Sequence, residues 1–130
     1  MSVSLRKQET PAHARPETCL IVEEELEAAN ALKEHFEAKG IRTWFTPNYK
    51  EAAALAQLTQ PTITLLNVSL TRLSRAELIR QLRGAAPETR LIEMTSAADE
   101  MTAVKRSAGG PDVYCAKPAP LEQLNELVGL

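Results

Sequence analysis

Glu23 and Glu24, Asn67, Thr95 with Ser96, and Lys117 each follow directly on a short apolar run. Two adjacent carboxylates can hold a cation or pair with an ammonium group. A carboxamide donates and accepts hydrogen bonds but is a poor nucleophile, a hydroxyl can sense an anion, and a lysine can neutralise an acid or meet an anion. The runs that precede these residues are too short and too apolar to be surface helices. Cys19-Leu20-Ile21-Val22 has the character of a strand buried on both faces, and it ends in Glu23-Glu24-Glu25.

From these acids a helical pattern runs over about 26–39, with Leu26, Ala29, Leu32 and Phe36 at three- and four-residue steps and Gly40 as its stop. A strand over 41–45, a turn at Pro47-Asn48 and an alanine-rich helix over 50–58 follow. The pattern then repeats. A strand over 63–66 leads into Asn67, a polar loop over 69–75 into a helix over 76–83, and a strand over 91–94 into Thr95-Ser96. A fourth helix is expected over 99–107, a break at Gly109-Gly110-Pro111, a fifth strand over 113–115 and a last helix over 121–128. Repeated βα units predict a parallel sheet with helices on both faces, because each helix crosses back with right-handed sense. In such sheets the functional crevice lies at the carboxyl ends of the strands, where Glu23, Glu24, Asn67, Thr95 and Lys117 all fall.

Composition narrows the partners. The chain has 130 residues, 44% apolar and 25% charged, enough for one globular domain, with residues 1–17 read as a flexible tail and 18–130 as the domain. Fifteen Lys and Arg against 17 Asp and Glu give a net charge of −2, which supplies no field to recruit nucleic acid or an anionic membrane. No apolar stretch approaches the ~20 residues that span a bilayer, and the first 17 residues contain no signal-peptide core. A cytoplasmic protein is expected. Cys19 and Cys115 lie in separate apolar segments and read as buried reduced thiols, while His13 and His35 have no ligand partner at useful spacing.

The stretches Leu20-Ile21-Val22-Glu23-Glu24, Leu65-Leu66-Asn67-Val68, Ile92-Glu93-Met94-Thr95-Ser96, Ala108-Gly109 and Tyr114-Cys115-Ala116-Lys117-Pro118 occur in one order and spacing. Together they resemble the CheY-like receiver domain of two-component response regulators, from residue 18 to the end of the chain. The resemblance implies a flavodoxin-like three-layer α/β sandwich with a five-stranded parallel sheet of order 2-1-3-4-5. It also implies a kinase-phosphorylated aspartate after the third strand and an acidic pair holding Mg²⁺. A Thr or Ser after the fourth strand, here Thr95, and a Lys-Pro after the fifth, here Lys117-Pro118, complete the pocket, with Thr95 and Tyr114 as the switching pair.

The departures from that pattern point to a degenerate pocket, a pseudo-receiver. Asn67 stands where the family has its phosphoacceptor, so no aspartyl phosphate can form there. Glu23 and Glu24 stand where it usually has aspartates, each carboxylate displaced by a methylene, and a small octahedral ion tolerates such shifts poorly. Glu23, Glu24, Asn67 and Lys117 sum to −1, against −2 for three carboxylates and a lysine. Mg²⁺ binding is therefore expected to be weak or absent, with Glu23 and Glu24 as weak candidates only, and Lys117 is expected to pair with a glutamate in a pocket locked without ligand. Thr71 and Arg75 stand at the loop positions where the family carries a proline and a glycine.

The chain is thus expected to be a non-catalytic, phosphorylation-independent signalling domain that binds a protein partner, and to need no cofactor. The surface implied by the family comprises about 99–107, 113–115 and 121–128, which also offers a homodimer face. Either the domain stands alone or it is part of a longer regulator. Plainer readings stand beside these: Glu23 and Glu24 as acids favoured at a helix N-terminus, Thr95 and Tyr114 as core and edge residues, Trp44 as core or as a contact surface, and Arg72, Arg75, Arg80 and Arg83 as a solvated helix face. Two other functions remain as alternatives, a residual phosphoswitch using Ser69 or Thr71, and a small-ligand binder in the same crevice. Against a phosphate-bearing ligand stand three glutamates where a Gly- or Ser/Thr-rich loop would be needed.

Overall fold

The computed structural model describes residues 17–95, 110–117 and 121–129. Its strands are β1 (Thr18–Glu23), β2 (Arg42–Thr46), β3 (Ile63–Asn67), β4 (Arg90–Thr95) and β5 (Val113–Ala116), and all pair in parallel in the order β2-β1-β3-β4-β5. The expected flavodoxin-like topology is the one observed. Its described helices are α1 (Leu26–Ala38), α2 (Ala52–Thr59) after a 3-10 turn at Tyr49–Glu51, α3 (Arg72–Ala85) and α4 (Leu121–Leu127). The helix expected over 99–107 and the tail over 1–16 lie outside the described residues.

Alternation along the strands divides the core in two. Cys19 and Ile21 of β1 pack with Phe36 of α1, Leu65, Ile92, Cys115 and Leu124 on one face. Leu20 and Val22 pack with Ala52 and Ala56 of α2, Leu66, and Leu78 and Leu82 of α3 on the other. A strand that buries both faces has no exposed polar alternate, which is why β1 reads as an apolar run and the one polar residue inside β3, Thr64, is buried against Thr89 Oγ1 at 2.8 Å.

Local chemistry sets where the elements stop. Gly40 ends α1 at φ +92°, a conformation that glycine adopts without strain, as expected of it. Asn48 starts the 3-10 turn by accepting from the Lys50 N–H at 3.0 Å. Helix α3 begins four residues ahead of the expected 76, because Thr71 Oγ1 accepts from the Ser74 N–H at 3.1 Å and caps it. Arg75 therefore stands in the first turn of a helix rather than in a loop.

One backbone donor of the edge strand β2 is satisfied by a side chain of α1. The Thr43 N–H donates to Glu37 Oε2 of α1 at 3.2 Å, and Thr43 Oγ1 donates to the Ile41 carbonyl at 2.9 Å. The first of these bonds occupies a backbone N–H that an edge strand would otherwise offer to another chain. Lys33 and the Thr43 N–H hold the Glu37 carboxyl below the usual carboxylate range. Trp44 on the same strand is half-buried, with the Arg42 guanidinium 5.4 Å from its ring centroid. His35 is likewise half-buried and its Nε2 lies 2.8 Å from Asn125 Oδ1, tying α1 to α4. Glu17, placed in the tail by the sequence, accepts from Thr62 Oγ1 at 2.6 Å.

Cys19 and Cys115 are both buried. Burial pushes the Cys19 thiol up to about 12 and raises that of Cys115. Since the thiolate is the reactive form, neither cysteine is expected to react with a water-soluble disulfide reagent at neutral pH in the folded protein. Both should react once denaturant is added, and a colorimetric thiol count before and after denaturation checks it.

Candidate functional site

In-register pairing of β1 with β3 sets Glu23 opposite Asn67, the last residue of each strand. Glu23 is buried, and each of its carboxylate oxygens accepts a hydrogen bond. Asn67 Nδ2 donates to Oε1, and the Glu25 N–H donates to Oε2 at 2.9 Å across the entry to α1. The Asn67 amide must face Glu23 with its nitrogen, because the opposite orientation would set two acceptors against each other. Asn67 Oδ1 is then buried with no hydrogen-bond partner among the described residues. Glu24 is exposed, and its Oε1 accepts from the Ser69 N–H at 3.3 Å.

Lys117 follows β5 and is exposed. The expected pairing of Lys117 with a glutamate is not formed: among the described residues, no ion pair joins it to Glu23 or Glu24. Glu23 already receives an amide and a backbone N–H, so it needs no ammonium. Lys117 instead borders a cleft of about 460 Å³ shared with Ser69, Thr71, Arg75, Glu93 and Met94. Thr95 is the last residue of β4 and pairs with Ala116 of β5, and Tyr114 is buried in β5 opposite Glu93. Ser96 lies outside the described residues.

The sequence reading left out Glu93. Strand β4 points Leu91 toward α2 and α3 and Ile92 toward α1 and α4, so Glu93 faces the α3 side, where it is buried. Arg75 meets it there, with Nε 3.3 Å from Oε2 and the two side chains only 12% and 5% exposed. The signal was present in Leu91-Ile92-Glu93-Met94. A charge inside a strand buried on both faces requires a partner of opposite sign.

The family's metal would need carboxylate oxygens turned into the cleft. Each oxygen of Glu23 already accepts one hydrogen bond, and among the described residues no group of three or more His, Cys, Asp or Glu side chains converges at metal-binding separation. The available groups are an amide, an exposed carboxylate, a lysine and a buried ion pair.

A parallel sheet of order β2-β1-β3-β4-β5, with its polar cleft at the carboxyl edge beside the switch point between β1 and β3, defines a doubly wound α/β domain of flavodoxin-like type. The family profile of the response regulator receiver domain matches residues 19–129, and the chain belongs to that family. It is 28% identical over 109 residues to the regulatory protein AtoC of Escherichia coli, covering 84% of this chain and 24% of AtoC. It is 26% identical over 99 residues to the cell cycle transcriptional regulator CtrA of Caulobacter vibrioides, covering 76% of this chain and 43% of CtrA. The chain thus spans less than half the length of either. Among solved structures, the chemotaxis response regulator CheY4 of Vibrio cholerae superimposes with a TM-score of 0.74 at 17% identity, covering 86% of this chain and 95% of CheY4. No helix among the described residues is long and apolar enough to cross a membrane.

Two substitutions test this geometry. Asn67→Asp removes the donor to a buried carboxylate and adds a like charge, so it should lower stability at about pH 7 by at least the ~1–3 kcal/mol that an unsatisfied buried acceptor costs. The folded variant then binds a proton more readily than the unfolded chain, so stability falls as pH rises and the loss should shrink toward about pH 5. Denaturant titrations at the two pH values check it. Lys117→Ala should leave stability within about 0.5 kcal/mol of the parent, as for an exposed side chain without an ion-pair partner among the described residues, and a thermal unfolding midpoint reads that directly.

Proposed function

We propose that this chain is a pseudo-receiver, a non-catalytic receiver domain that transmits its signal through protein contact and without an aspartyl phosphate. The observation that carries the reading is Asn67: at the end of β3 its amide donates to Glu23 instead of offering a nucleophilic carboxylate. An amide nitrogen engaged with a buried acid has no role in phosphoryl transfer, and Asn67 Oδ1 carries no negative charge with which to attack phosphorus.

The metal side of the pocket supports the same conclusion. Mg²⁺ demands near-ideal octahedral geometry at ~2.0–2.1 Å and dehydrates reluctantly. Glu23 is already oriented by the Asn67 and Glu25 donors, and Glu24 accepts from the Ser69 N–H, so neither carboxylate is set for such an ion. The residues do not fit the ion, and we read the domain as working without one and without any other cofactor.

A protein partner is the remaining recipient of the signal. The surface for it comprises 99–107, β5 and α4, where Leu121 is half-exposed. A homodimer on this face is included in the proposal. With a net charge of −2 the chain is not proposed to bind nucleic acid itself.

Intact mass after incubation with a small phosphodonor and Mg²⁺, beside an active receiver as control, tests the reading. The expected result is an unchanged mass. A gain of one phosphoryl group would overturn it and direct mapping to Ser69 or Thr71. Asn67→Asp alone should also fail to label efficiently, because Glu23 and Glu24 remain a methylene out of place.

A further inference from the structure

We propose that a groove at the amino edge of the sheet is a docking site for a basic peptide segment, and that the chain fills it with its own residues 1–16. The site lies at the opposite end of the strands from Glu23 and Asn67, and it does not depend on how the carboxyl edge works.

The groove has a volume of about 560 Å³ and is walled by the starts of β3 and β4, the residues before them, and the end of α4. Glu17 belongs to the same wall. Its Oε1 accepts from Thr62 Oγ1 at 2.6 Å, and its Oε2 faces Gly129, 4.0 Å from where a Cβ on that glycine would stand. The residues before Glu17 thus join the domain at the groove itself. Sixteen extended residues span about 55 Å, so the whole groove is within their reach.

Charge decides what suits it. In a parallel sheet the helices run back against the strands, so their carbonyl ends collect at the amino edge, and such ends favour cations. Two donors already meet them: Gln60 Nε2 donates to the Ala85 carbonyl of α3 at 2.8 Å, and Arg90 Nη1 donates to the Leu127 carbonyl of α4 at 2.7 Å. Glu17 and Glu88 add two carboxylates, neither of which has an ion pair among the described residues. Residues 1–16 carry Arg6, Lys7 and Arg15 against Glu9 alone, a net charge of +2 with His13 neutral. The 15 Lys and Arg less those three, and the 17 Asp and Glu less that one, leave residues 17–130 at −4. Val3 and Leu5 bring apolar side chains beside Arg6, and Pro61, Ile63 and Leu127 give the groove an apolar wall. Tethering raises the effective concentration of the segment to about the millimolar range, so individually weak contacts suffice.

The test places a nitroxide spin label on Ser4→Cys in the full chain. The buried Cys19 and Cys115 are not expected to take up label, and intact mass confirms a single adduct. Amide intensities are compared with the label oxidised and reduced. Thr89 and Val128, in the groove, should lose at least half of their intensity, whereas Arg42, the register partner of Thr18 on the other side of β1, should keep it. R6S/K7S/R15S in the labelled chain should restore Thr89 and Val128, and so should about 1 M salt, where the Debye length is about 3 Å. All these substitutions precede β1, so the fold is not at stake. No loss in the groove, equal loss on both sides of β1, or a loss that R6S/K7S/R15S leaves unchanged each overturns the proposal. So does a loss at Thr89 and Val128 of a ¹⁵N chain without label mixed with spin-labelled chain lacking ¹⁵N, which would place the segment on a second copy.

Discussion

The in-register parallel pairing of β1 with β3 is the constraint on which the rest depends. It ends both strands at the same level, so Glu23 and Asn67 become neighbours although 44 residues separate them in sequence. Both strands are buried on both faces up to that level, and their polar residues can emerge only at the carboxyl edge. The polar groups next to this pair are held by backbone donors. The Glu25 N–H caps the second oxygen of Glu23, and Ser69 holds Glu24 away to the side.

The cleft is settled by local satisfaction rather than by a balance of free charges. Glu23 accepts two donors, and Glu93 has Arg75. Lys117, which counting charges would assign to an acid, stays exposed because the buried acids find closer donors. A buried carboxylate favours the donor that requires least reorganisation, and a neighbouring amide fixed by the sheet requires less than a flexible lysine at the rim. Asn67 Oδ1 is the residual cost of this arrangement, a buried acceptor without a partner among the described residues.

Sequence periodicity was sufficient for the sheet. Apolar runs at 19–22, 63–66, 91–94 and 113–115 all lie within observed strands, and their order gave the topology through the handedness of parallel crossovers. Element ends were less legible where a side chain decides them. The start of α3 depends on the Thr71 hydroxyl reaching the Ser74 N–H, and the alanine-rich helix is preceded by a 3-10 turn capped by Asn48. Of the cleft residues, those following strands were found because a parallel sheet collects strand ends. Glu93 lies inside a strand and Arg75 inside a helix, so a search of strand ends passed over both.

By itself the sequence determined the fold class and the edge at which the polar groups gather. These follow from residue type and from periods of two and 3.6, which are local properties. Only the tertiary structure decided which polar groups meet: Asn67 with Glu23, Arg75 with Glu93, His35 with Asn125, and Lys117 with neither glutamate. Hydrogen bonds and buried ion pairs form over about three ångströms, and distances on that scale are set by register, helix start and strand alternation acting together.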